Sequence, residues 1–145
     1  MNWKCEAIEK LKEYTVRANS VDSIPREIAR LEESIVRIRS ALSDATPVAG
    51  GGSGREDMLL SNIVHREELN IRFTDAKRWL AMMDRAFAML TEEDKLILDR
   101  FYIRPMKGNV DRLCEELSVE KAAVYKRKDK ALRRFTLALY GITES

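Results

Sequence analysis

Over the first ninety residues, apolar side chains recur at alternating intervals of three and four, the period of one helix face. Trp3, Ala7, Leu11 and Tyr14 mark such a face and predict a helix from about Asn2 to Ala18. A second helix is expected to begin near Ser23, with Ser23 as its cap and Pro25 in the first turn, where a missing N–H costs nothing. Ile24, Ile28, Leu31, Ile35, Ile38 and Leu42 then form an unbroken heptad stripe, the seam of a coiled coil or helical hairpin. A third helix is predicted from about Glu56 to Leu90. Its main stripe is Leu69, Phe73, Ala76, Leu80, Met83, Phe87 and Leu90, widened by Trp79, Met82, Ala86 and Met89. Between the two heptad helices, Ser43 to Gly54 reads as a flexible loop (43–55), because four glycines leave the backbone unrestrained. It does not read as a phosphate loop. Arg55-Glu56 follows the glycines where a Lys and a Ser or Thr would be needed.

After residue 90 the elements shorten. Thr91-Glu92-Glu93-Asp94 has the form of a helix start: the Thr hydroxyl can accept from the N–H three residues on, and the acids suit the positive end of the helix dipole. That helix is expected to reach about Tyr102, presenting Leu96, Ile97, Phe101 and Tyr102, before Pro105, Gly108 and Asn109 break it. Asn109 is the expected N-cap of a short helix, Val110 to Leu117, with Val110, Leu113, Cys114 and Leu117 turned inward. Ser118-Val119 leads into a last helix from about Lys121 to Leu139, whose apolar set is Val124, Ala131, Leu132, Phe135 and Leu139. The whole chain therefore reads as all-α. An N-terminal antiparallel helical hairpin or coiled coil (1–90) is followed by a domain of shorter helices (91–145).

Composition narrows the function classes. The chain is 45% hydrophobic and 34% charged with only three prolines, a balance typical of long amphipathic helices. No run of apolar residues is long enough to span a bilayer, and the charged first twelve residues do not resemble a signal peptide, so a cytoplasmic location without membrane association is expected. Cys5 and Cys114 are far apart and His65 is the only histidine, which is too few ligands for a zinc site or disulfide framework. Both thiols are expected to be buried or half-buried, His65 exposed, and no cofactor bound. No carboxylate pair or nucleophile–base arrangement is placed by a motif, so an enzyme is not expected.

The net charge of +2 conceals an uneven distribution. Residues 1–90 carry 14 basic and 14 acidic side chains, whereas 121–135 carry seven basic residues against Asp129 alone. A short helix, a tight turn and a basic helix together form a helix-turn-helix, the arrangement that lays its second helix in the major groove of double-stranded DNA. On this reading Lys121, Ala122, Tyr125 and Lys126 face bases or nearby phosphates, and Arg127, Lys130 and Arg134 face the phosphate backbone. Ala122 and Ala123 are small enough to allow close approach.

The run from Leu117 to Arg134, with its Lys130-Ala131-Leu132-Arg133 ending, resembles region 4 of bacterial sigma factors, and Leu90 to Tyr102 resembles that region's first helix. Two departures stand out: Ser118 holds the position usually taken by Gly in the turn, and Glu120 the position of a capping Ser or Thr. The order hairpin, Ser/Gly-rich loop, long helix, sigma-region-4-like module and closing Ala138-Leu139-Tyr140-Gly141 resembles phage transcriptional activators of the RinA/ArpU type. That resemblance implies a prophage-encoded activator of late genes in a bacterial host, with RNA polymerase as a candidate second partner; the heptad stripes leave open a homodimer through the N-terminal helices. Two other readings fit the same parts: a small terminase-like packaging subunit, and a helical adaptor whose basic end binds an acidic protein or RNA polymerase itself.

Overall fold

The computed structural model describes residues 2–44 and 53–142, the side chains of 42–44 and 53 excepted. Among the described residues the chain forms five α-helices and no strand: α1 (Trp3–Asp44), α2 (Ser53–Phe87), α3 (Glu92–Leu98), α4 (Asn109–Leu117) and α5 (Lys121–Tyr140). The all-α expectation holds. Most of the expected 43–55 loop lies outside the described residues, and its two edges are helical, since α1 runs to Asp44 and α2 begins at Ser53.

Two expected helices are one. No break occurs near Ser23, and Pro25 lies inside α1 rather than in a first turn. The reason is visible in the stripe: Ala18, Val21 and Ile24 are all half-buried and carry the three-and-four rhythm from Tyr14 to Ile28 without interruption. Pro25 falls on the exposed side of the helix. There its ring displaces solvent and not packing, so the lost backbone hydrogen bond is the main cost.

The compact units do not divide at 90/91, where the chain pattern puts the boundary. One unit comprises Met1–Ala18 with Trp79–Ser145, and the other Asn19–Arg78. The three short helices bury too little apolar surface by themselves, and helical turns from α1 and α2 complete their core. Ala7 and Leu11 of α1, Met83 and Ala86 of α2, and Ile97, Leu98, Leu113, Val124, Ala131 and Phe135 make one buried cluster. Rings join it: Phe87 stacks on Phe135 with centroids 5.2 Å apart, Tyr14 meets Phe87 edge-on at 5.5 Å, and Trp3 tilts against Tyr140 at 4.9 Å. The Tyr14 hydroxyl donates to Asp84 (3.1 Å). Each fully buried large side chain, such as Phe135 or Met83, contributes about 1.5–3 kcal/mol of burial free energy. Met89, expected on the apolar flank, is 75% exposed because α2 ends at Phe87 and a turn carries Met89 outward.

The second unit is a two-helix antiparallel hairpin with a thin core. Leu31, Ile35 and Ala76 are buried, and the buried Asn62 side chain donates to the Leu31 carbonyl (2.9 Å) while accepting from Arg66 Nε (2.9 Å). A polar side chain satisfied in this way fixes the register of one helix on the other. His65 is exposed as expected, and Cys114 is half-buried, but Cys5 is exposed against expectation. Cys5 lies outside the Trp3–Ala7–Leu11 face.

Candidate nucleic-acid interface

The first helix of the candidate site begins as its sequence predicts. Thr91 Oγ1 accepts from the Asp94 N–H (3.1 Å), and Asp94 Oδ2 accepts from the Thr91 N–H (3.4 Å), a reciprocal capping box. After Leu98 the helix widens into a π-helical turn, Asp99–Ile103, closed by Arg104 N–H donating to the Asp99 carbonyl (2.8 Å). Pro105 explains the ending. A residue before proline is pushed out of helical geometry, and Arg104 is non-helical. Its guanidinium returns to the Asp99 carboxylate (3.0 and 3.2 Å).

Asn109 does not cap α4. Gly108, at φ 80°, is the N-cap residue, and Asn109 is the first helical residue. Its side-chain amide instead donates to the Arg100 carbonyl, one of those in the π turn, and so ties the start of α4 to the end of the preceding helix. Arg100 adds an ion pair to Glu116 on α4 (3.0 Å).

The link between α4 and α5 is three residues long. Ser118 adopts the left-handed conformation (φ 55°, ψ 46°), and both its N–H and that of Val119 donate to the Cys114 carbonyl, ending α4. This is the conformation that glycine adopts without cost, so a serine is strained here. Glu120 is extended and stands at the N-cap of α5 without a side-chain cap hydrogen bond. The two departures noted in the sequence thus occupy the two residues whose geometry sets the angle between α4 and α5.

Helix α5 is two-sided. Val124, Ala131, Leu132, Phe135 and Thr136 are buried. With 3.6 residues per turn, Ala122, Lys126, Lys130, Arg133 and Leu137 fall on the opposite side, and all five are exposed. Lys121 is exposed in the first turn, and Tyr125 is 43% exposed between the two faces. The Tyr125 ring is held edge-on by Phe101 (6.0 Å), and Lys128 Nζ lies over both rings at 5.6 and 5.5 Å. Lys121, Lys126, Lys130 and Arg133 have no carboxylate within ion-pair distance among the described residues. Lys126, Lys130 and Arg133 form a row of unneutralised positive charge, and Lys121 adds a further one in the first turn, off that row.

The seven residues expected to contact DNA therefore separate into two sets. Lys121, Ala122, Tyr125, Lys126 and Lys130 are exposed along α5. Arg127 and Arg134 project from its flank toward α3 instead, where Arg127 Nη1 meets Glu93 (2.6 Å) and Arg134 Nη1 meets both oxygens of the buried Asp94 (2.9 and 3.1 Å). These two arginines fasten α5 to α3. Arg133, absent from the expected set, belongs to the exposed row. Its spacing of seven from Lys126 and its opposition to Ala131 and Phe135 were the signal that could have placed it. No family model, curated protein or solved structure matches this chain.

Proposed function

We propose that this protein is a sequence-specific regulator of transcription that binds double-stranded DNA through α4, the Ser118–Glu120 turn and α5, used as a helix-turn-helix. The observation that carries this reading is the exposed, unpaired row Lys126, Lys130 and Arg133 on one side of a helix whose other side is buried, with Lys121 exposed and unpaired at the start of the helix. Set into the major groove, that row reaches phosphates along the groove walls. Ala122 permits close approach, and Lys121, Tyr125 and Lys126 are within reach of base edges. Following the resemblance to RinA/ArpU-type activators, the regulated genes are prophage late genes and RNA polymerase is the second partner.

The charge state makes a quantitative expectation. Arg127 and Arg134, neutralised by Glu93 and Asp94, and Lys128, paired with Asp129 (3.3 Å), release no counterions from DNA, so only four of the seven basic side chains of α5 count. Titration of duplex DNA by fluorescence anisotropy across a salt series should give a log–log slope of about −3.6 per bound chain, and not the value near −6 that all seven basic residues would produce. Lys126→Ala/Lys130→Ala should reduce that slope by about 1.8 and weaken binding to every sequence alike. Absence of binding at low salt would overturn the proposal.

A further inference from the structure

Helix α2 carries a second stripe, on the side opposite Asn62, Leu69, Phe73 and Ala76, that no residue of the hairpin covers. Asp57, Val64, Ile71 and Arg78 are spaced by seven residues and share one face. Val64 is 45% and Ile71 63% exposed, and Leu60 beside them is 61% exposed. Asp57 and Arg78 are exposed and make no ion pair within 4 Å among the described residues.

The order acid–apolar–apolar–base reads as its own complement when reversed. We infer that this face is the seat of a second copy of the same chain, packed antiparallel about a twofold axis level with the middle of the Asp57–Arg78 segment. In that arrangement Val64 meets the partner's Ile71, Ile71 meets the partner's Val64, and Asp57 at each end meets the partner's Arg78. A twofold interface requires such self-complementarity, and a seven-residue repeat keeps the contact in line over three heptads. Glu67 and Glu68 lie at the midpoint, where each approaches the partner's glutamates, and the partner's Arg72, about one helical turn along, is the nearest opposing charge. With Asp75 beside Arg78, the acids of this face outnumber its bases, which disfavours a polyanion there. Its occupant is a helix of the same kind. This inference is independent of the DNA reading, because it uses no residue of α3 to α5.

Light scattering on the full chain at micromolar concentration tests it. The expected mass is twice that of the chain. Val64→Glu/Ile71→Glu should give a monomer whose circular dichroism stays helical, since both side chains point away from the hairpin core. Arg78→Asp should weaken association about tenfold, because two attractive pairs become repulsive. The exchanged variant Asp57→Arg/Arg78→Asp should restore it. A monomeric parent protein overturns the inference, as does a dimer indifferent to Val64→Glu/Ile71→Glu. Failure of the exchanged variant to recover overturns the antiparallel register.

Discussion

Ser118 and Glu120 illustrate how a single side chain can be read for its local cost. Ser118→Gly should raise stability by about 1 kcal/mol, because glycine takes the left-handed conformation without a Cβ clash. Glu120→Ser should add about 1 kcal/mol by supplying the cap that α5 lacks. Urea unfolding midpoints check both, and an unchanged midpoint for Ser118→Gly would show that the turn has another source of strain relief. Arg134 behaves in the opposite way. Its guanidinium is half in solvent, whereas Asp94 is buried (side chains 56% and 3% exposed), so Arg134→Met strands a buried carboxylate and should cost about 1–3 kcal/mol. The same substitution should leave the salt dependence of DNA binding nearly unaltered, which separates a fastening residue from a phosphate contact. Residues differ in how far they can be read from sequence for a physical reason. The Thr91 cap is legible because its partner is three residues away. The partners of Arg127 and Arg134 lie 34 and 40 residues upstream, beyond any local pattern.

At the scale of elements, hydrophobic period proved a better guide than punctuation. Ser23 and Pro25 look like a helix start, yet the rhythm through Ala18, Val21 and Ile24 continues across them, and the continuous helix wins because its face is packed. Pro25→Ala should therefore stabilise α1 by about 2 kcal/mol, the restored hydrogen bond and relieved ring contact being partly offset by a more flexible unfolded chain. A thermal melt that falls on this substitution would indicate that proline is needed for a bend. The π turn after Leu98 had no signature beyond Pro105, since its stabilising bonds come from Asn109 and Arg104 after the helix has ended. Burial raises the phenols of Tyr14 and Tyr102 above the ordinary 10.0, with Asp84 adding to the effect at Tyr14. A group that holds its proton more tightly when folded stabilises the fold below its unfolded pKa, and that contribution is lost as pH rises. Stability measured by denaturant titration should hence decline above about pH 10, and Tyr14→Phe should decline less steeply.

For the molecule as a whole, the all-helical class and the basic C-terminal helix were legible, because period and charge are properties of short windows. The partition into units was not. A boundary after Leu90 follows the change in element length, but Ala7, Leu11 and Met83 belong to the same buried cluster as Val124 and Phe135. An isolated fragment of residues 91–145 should therefore lack cooperative unfolding, and a chain lacking residues 1–18 should lose the protection that Phe87 and Phe135 give each other against solvent. Hydrogen exchange on the truncated chain would decide the second point: slow exchange retained in α5 would show that α1 is dispensable. The contact between Trp3 and Tyr140 joins the first aromatic ring of the chain to the last. During synthesis, then, the Trp3–Leu11 face emerges from the ribosome on the order of 10 s before its partners on α5 exist. Over that interval the nascent chain exposes an amphipathic helix that a chaperone could hold, and α5 closes the core only when translation has passed it.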